Sequence, residues 1–143
     1  MKPKSKPSQR PRRTSKRAAA TEPASPSPSP LARAIYAQLV AHVRAHQTSI
    51  TYGELAAALS ASMPIHPRSS KLHAALGEVT DACRERALPI LPAIVCRNDT
   101  HRPSDGYYKV AHPRARSYKS QRAAWEHEHA RVLQEHERFP ATL

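Results

Sequence analysis

The sequence contains few glycines and lacks several of the motifs from which active sites are built. It has only three glycines in 143 residues, and they stand isolated from one another. A P-loop or a dinucleotide-binding fingerprint needs clustered glycines, so both are excluded. A nucleophile elbow and a paired-carboxylate motif are also missing. We therefore expect a protein that is not an enzyme and that requires no cofactor.

Cysteine is scarce as well, with Cys83 and Cys96 as its two occurrences. Two cysteines cannot build a disulfide framework, and their apolar neighbours indicate buried thiols in a reducing compartment. Nine histidines invite a metal hypothesis. However, His127 and His129 lie two positions apart, so they point to different faces of a helix and chelate poorly. We expect no metal site.

Long apolar runs are absent, so the sequence predicts no segment that crosses a bilayer. The basic N-terminus is not followed by the apolar stretch that a secretory signal needs. These two absences favour a cytoplasmic protein without a membrane partner. Its charge suggests that it associates with the nucleoid.

Acidic residues are few: 11 Asp and Glu stand against 23 Lys and Arg, which gives a formal net charge of +12. Like charges on a compact domain repel one another, so such an excess is typical of a protein with a polyanionic partner. We expect this partner to be nucleic acid, in particular duplex DNA. An anionic membrane surface is the rival interpretation.

The first 30 residues predict a disordered, basic arm. They hold seven of the 14 prolines and eight of the 23 basic residues, with hardly any large apolar side chain to bury. We divide the chain into this arm (1–30), a folded domain (31–112), and a basic connector with a C-terminal helix (113–143). The arm supplies five candidate phosphate contacts: Arg10, Arg12, Arg13, Lys16 and Arg17.

The patterning of 31–112 predicts an α+β domain of winged helix-turn-helix type. Apolar residues recur at helical spacing over 31–46, and a short β-branched strand follows. Thr51-Tyr52-Gly53-Glu54 has the pattern of a capping box, which starts a second helix. A third helix begins after Ser69 or Ser70. Strands ending at Cys96 and covering 107–110 would form a hairpin, giving the order α-β-α-α-β-β before the C-terminal helix.

In a winged helix the third helix reads DNA and the hairpin, or wing, contacts the backbone. Small and polar residues in the first turns suit a helix that enters a groove, and its N-terminal amides favour phosphate. Glu78 and Asp81 oppose this reading if they share that side. The candidate contacts are Arg68, Ser69, Ser70, Lys71 and His73 on the third helix, Arg97, Asn98, His101, Arg102 and Lys109 on the wing, and Arg114, Arg116 and Lys119 in the connector.

One stretch resembles a known family. The run Ile50-Thr51-Tyr52-Gly53-Glu54-Leu55-Ala56, followed by Ile94-Val95-Cys96-Arg97 and Asp105-Gly106-Tyr107, is similar to the C-terminal domain of O6-alkylguanine-DNA alkyltransferases and alkyltransferase-like proteins. The resemblance spans about residues 48–110 and implies a winged helix that binds DNA. The family's Pro-Cys-His-Arg acceptor motif is absent, so the resemblance does not imply alkyl transfer.

Two other functions remain open. A winged fold also serves as a protein-interaction or assembly module, with the basic tail binding RNA or a complex. A divergent base-acting enzyme that uses Cys96 is the third reading. The last helix carries Tyr118, Trp125, Val132 and Phe139 every seven residues; we call these four the heptad stripe. It predicts packing on the domain itself or, alternatively, a homodimer or protein contact.

Deleting residues 1–30 should weaken DNA binding and flatten its dependence on salt. Each Lys or Arg that neutralises a phosphate adds about 0.9 to the magnitude of the salt slope on duplex DNA. Titrations of the full and truncated chains over a salt series measure this slope. A slope that stays unchanged on truncation would show that the arm only keeps the protein soluble.

Overall fold

The computed structural model describes residues 27–143, and it is an α+β fold in which helices predominate. No helix in this range is both long and apolar enough to span a bilayer. The elements, in chain order, are α1 (Pro30–His46), β1 (Ile50–Thr51), α2 (Tyr52–Leu59), α3 (Ser70–Glu85), a 3₁₀ turn (Leu91–Ile94), β2 (Val95–Cys96), α4 (Asp105–Ala111), α5 (Tyr118–Gln134) and a second 3₁₀ turn (His136–Arg138).

Helix α1 forms where the apolar spacing predicts it and supplies one wall of the core. Its buried residues follow the three- and four-residue steps of a helical face: Ala32, Ile35, Tyr36, Leu39, Val40 and Val43. Ser29 caps the helix by accepting a hydrogen bond from the amide of Ala32, and Pro30 occupies the first turn.

The cap of α1 also ties the start of the domain to α3. The backbone amide and the hydroxyl of Ser29 both donate to the Glu78 carboxylate, at 2.8 and 3.0 Å. Ser29 thus belongs to the folded body, although composition alone assigned it to the arm. A truncation made after Pro26 removes the basic residues of the arm and keeps this cap.

Helices α2 and α3 begin at the predicted caps. Thr51 and Glu54 form the capping box reciprocally: Thr51 N–H donates to Glu54 Oε1 at 2.9 Å, and Glu54 N–H donates to Thr51 Oγ1 at 3.0 Å. Ser69 caps α3 through the amide of Lys71 at 3.1 Å. The apolar face of α3 packs against α1, with Leu72, Leu76, Val79 and Cys83 buried.

The two strands form a parallel pair, with Ile50 opposite Val95 and Thr51 opposite Cys96. No antiparallel hairpin forms between 95 and 110, so the predicted second wing strand is wrong. Residues 105–111 are helix α4, whose buried residues Tyr107, Tyr108 and Ala111 follow helical spacing. The strand prediction for 107–110 rests on the β propensity of its Tyr-Tyr-Lys-Val sequence, which the helix overrides.

Packing against α3 supports α4. The Arg84 guanidinium donates to the carbonyl oxygens of Val110 and Ala111 at 2.9 and 2.8 Å. These carbonyls end the helix and have no partner within it, and a cation there also complements the helix dipole. The tertiary contact thereby outweighs the local propensity.

The C-terminal segment closes the core from the other side. Trp125 donates from its indole nitrogen to the Ala93 carbonyl at 2.8 Å, and Val132 and Phe139 are buried. Glu128 is buried too, accepting from Ile90 N–H at 2.8 Å and from Arg131 at 3.0 Å. The heptad stripe therefore packs on its own domain at these three positions, whereas its first member, Tyr118, is 62% exposed.

Replacing Gly77 with Ala should stabilise the protein by about 1 kcal/mol, because alanine is the better helix former in the interior of α3. A Cβ at this position meets Val110 Cγ2 at 3.9 Å, which is an ordinary contact. Urea unfolding measures the free energy. The matched control, Ala74→Gly on the exposed face of α3, should lose a similar amount. A destabilised Gly77→Ala variant would show that α3 and α4 pack too closely for a methyl group.

Candidate nucleic-acid interface

An open cavity of about 620 Å³ lies between the N-terminal end of α3 and the loop of residues 97–104. We call this cavity the basin. It is lined by Tyr52, Gly53, Pro67, Arg68, His73, Arg97, Asn98, Asp99 and Ser104. Four of the predicted contacts thus share one concave surface: Arg68 and His73 at the start of α3, and Arg97 and Asn98 on the segment predicted as the wing.

Hydrogen bonds between distant segments fix the floor of the basin. The Tyr52 hydroxyl accepts from Ser104 N–H at 3.0 Å and lies 3.1 Å from Ser104 Oγ. The ring of Tyr52 also contacts that of His73, with centroids 5.1 Å apart. Tyr52 is held here because it is the first residue of α2, directly after the capping-box threonine.

The rim contributed by the loop is ordered by its own contacts. Arg97 donates to both carboxylate oxygens of Asp99, at 3.1 and 2.8 Å, and holds the pKa of that carboxyl below its usual range. The loop closes on itself through Arg97 N–H to the Arg102 carbonyl at 2.8 Å. Both partners of this ion pair are exposed, and exposed ion pairs contribute little to stability, so a phosphate group competes with Asp99 for Arg97 at little cost.

Other predicted contacts surround the basin without lining it. Ser69 and Lys71 line an adjoining shallow cavity with the loop of residues 63–66. Ser70 and His101 are exposed, and His101 lies on the loop of residues 97–104. Lys109 lies on α4, not on a wing, and lines a smaller cavity of about 210 Å³ that shares Tyr52, His73 and Ser104 with the basin.

The connector reaches the same surface through Arg102. The Arg102 guanidinium carbon lies 5.0 Å from the centroid of the Tyr118 ring. The connector holds three predicted contacts, Arg114, Arg116 and Lys119. All three are exposed, and they lie within four residues of Tyr118 in sequence. The arm residues Arg10, Arg12, Arg13, Lys16 and Arg17 lie outside the described residues.

The acidic residues of α3 lie away from its N-terminal end. Glu78, Asp81 and Glu85 line a separate cavity of about 610 Å³, together with Ser27, Pro28, Ala82, Leu143 and the three arginines Arg33, Arg84 and Arg86. We call this surface the acidic side of α3. It occupies the second half of the helix, so the N-terminal end can approach a polyanion without bringing these carboxylates to it.

Sequence reasoning missed several residues of the site. Tyr52 stands at the predicted start of a helix and Ser104 on the segment predicted as the wing, and their pairing joins positions too distant for any local pattern to reveal. Outside the basin, His42 and His46 form an i, i+4 pair on α1 that was not predicted from the sequence, with ring centroids 5.0 Å apart. Within residues 27–143 no group of three or more His, Cys, Asp or Glu side chains is arranged to hold a metal ion.

Both cysteines are buried, as the sequence predicts. Burial raises the pKa of the Cys83 thiol to about 11, and burial together with the charge of Glu54 raises the pKa of Cys96. The thiolate is the reactive form, so a raised pKa lowers reactivity. The arrangement offers Cys96 no activation as a nucleophile.

A thiol-reactive chromogenic reagent should therefore label neither cysteine of the native protein rapidly at pH 8. Both should react at once in denaturant, since unfolding removes the burial that raises their pKa values. Peptide mapping assigns any modified residue. Rapid labelling of Cys96 in the native protein would contradict this account and would support the alternative that the protein is a base-acting enzyme.

Comparisons with known proteins assign no family to this chain. No protein-family model matches the sequence, no curated protein is significantly similar to it, and no solved structure matches its fold significantly. The resemblance to the alkyltransferase domain over residues 48–110 therefore stays a prediction, and the geometry of the basin carries the functional argument.

Proposed function

We propose that this chain is a non-enzymatic DNA-binding protein of helix-turn-helix type, with a regulatory or architectural role. The observation that supports this most directly is the basin, which brings Arg68 and His73 together with Arg97 on one concave face. The N-terminal end of α3 borders the same face, and the positive end of a helix dipole favours phosphate.

The charge of the chain supports the same partner. Residues 31–143 still carry 15 basic against ten acidic residues, so the folded part is basic without the arm. Several of these positive charges, including Arg68, Arg102 and Arg116, surround the basin or the adjoining connector. Asp99, which also lines the basin, is paired with Arg97, so basic side chains outnumber acidic ones on this face and favour a polyanionic partner.

The polarity of α3 defines how the helix meets DNA. Its first turn is flanked by Arg68 and Lys71, whereas the acidic side lies in its second half. A helix laid flat along the major groove would bring Asp81 towards phosphates, so α3 enters with its N-terminal end. The loop 97–104 then takes the place of a wing and contacts the backbone through Arg97 and Arg102.

A role in protein assembly is the second candidate. The observation that favours it is the acidic side of α3, where three carboxylates alternate with Arg33, Arg84 and Arg86, and where Asp81 is exposed and pairs with Arg84 at 3.7 Å. A protein partner with charges of both signs would fit this surface while the opposite end of α3 remained available. Pull-down with an Asp81→Asn variant as control separates this role from DNA binding, which that variant should not weaken.

The double variant Arg68→Gln/Lys71→Gln should weaken binding to duplex DNA of any sequence. It should also lower the magnitude of the salt slope by about two, since each lost phosphate contact removes about 0.9. The matched control is Arg33→Gln/Arg86→Gln, which removes the same charge beside the acidic side of α3. Fluorescence anisotropy over a salt series measures both.

The control pair separates a local effect from net charge. We expect its affinity and salt slope to stay close to those of the unmodified chain. Equal losses in the two double variants would contradict docking through the N-terminal end of α3, because total charge alone would then account for binding.

A further inference from the structure

We propose that Tyr118, backed by Arg102, is a stacking site for an unpaired DNA base next to the duplex that the basin binds. This inference rests on the proposed function, and it names the kind of DNA that the face prefers: a duplex with an adjoining single strand. It concerns a residue outside the basin and outside residues 48–110.

The exposure of Tyr118 is exceptional in this fold. Among the residues that the structure describes, it is the one large hydrophobic side chain that is mostly exposed, at 62%. The other three members of the heptad stripe pack on the domain, so the sequence pattern gives no structural reason for Tyr118 to face solvent. Exposed aromatic rings on basic surfaces are the elements on which proteins stack unpaired bases.

A capping box fixes the backbone at Tyr118, and Arg102 contacts the ring. Tyr118 is the first residue of α5, and Ser117 and Ser120 form a capping box around it, with Ser120 N–H donating to Ser117 Oγ at 3.0 Å. Arg102 lies 5.0 Å from the ring centroid and covers one face. Because the residue is still mostly exposed, the opposite face is available to a planar partner, and the guanidinium adds positive charge behind the stack.

The charges around the ring fit a nucleic-acid strand. Arg116 and Lys119 are exposed on either side of Tyr118 in sequence. Arg122, one turn along α5, is also exposed and pairs with Glu126 at 3.3 Å, so it is less available to phosphate. Two acidic residues stand near Arg102 in sequence: Asp99, on the same loop, is paired with Arg97 at 2.8 Å, and Asp105 begins α4.

Tyr118 adjoins the basin through a short chain of contacts. Arg97 lines the basin, its amide donates to the Arg102 carbonyl at 2.8 Å, and Arg102 contacts the Tyr118 ring. A strand that leaves a duplex docked at the basin therefore reaches the ring without crossing the acidic side of α3. This adjacency favours a junction over an isolated single strand.

The test compares a blunt DNA duplex with the same duplex carrying a short single-stranded extension. Tyr118→Leu removes the ring and keeps an apolar side chain, whereas Tyr118→Phe keeps the ring. We expect Tyr118→Leu to lose about 5- to 100-fold in affinity for the extended duplex and none for the blunt one, since stacking needs an aromatic face. Tyr118→Phe should bind both as the unmodified chain does.

Lys119→Gln provides the charge control at the neighbouring position. It should weaken binding to both duplexes equally and lower the salt slope by about one, because a lysine contacts phosphate irrespective of pairing. Thermal unfolding of each variant verifies that it folds. Both positions are exposed at the start of α5, so we expect all three substitutions to leave the fold intact.

The outcomes separate this inference from the function on which it rests. Equal losses of Tyr118→Leu on both duplexes, or no loss on the extended one, overturn the stacking site; the latter result would indicate a protein contact for the ring. Failure of the unmodified chain to bind the blunt duplex defeats the proposed function. Loss that occurs equally with an RNA extension would overturn the restriction to DNA.

Discussion

The parallel pairing of Ile50 with Val95 and of Thr51 with Cys96 is the constraint on which the whole site depends. Tyr52 directly follows the first strand, and Arg97 directly follows the second. Because the two strands pair in this register, the start of α2 lies beside the loop 97–104. The hydroxyl of Tyr52 then meets Ser104. A shift of this register by one residue would turn Arg97 away from the basin.

The second constraint is the division of α3 into a basic N-terminal end and an acidic later half. Glu78 accepts two hydrogen bonds from Ser29, which fixes the first residues of the domain against the acidic side. Residues 27–29, the last before α1, therefore lie beside Glu78, at a distance along α3 from Arg68. The DNA contacts proposed for the basin thus lie away from the residue at which the described part of the chain begins.

Local patterns predicted the helices that have strong local signals, and tertiary contacts decided the rest. The apolar face of α1, the Thr51–Glu54 capping box and the Ser69 cap all lie in the sequence itself. The segment 105–111 reads as a strand by propensity and becomes helical through its packing on α3 and the Arg84 contacts. Part of the site was predictable from charge, namely Arg68, His73 and Arg97, whereas Tyr52 and Ser104 required the long-range strand register.

Mapping the DNA contact surface residue by residue tests the central claim most directly. Amide NMR spectra of the chain, recorded during a titration with duplex DNA, report which backbone groups change environment. The account predicts shifts concentrated at residues 67–73, 97–104 and 114–119, with residues 78–86 of α3 unaffected. Shifts centred on the acidic side of α3, or confined to the residues before Ser27, would contradict it.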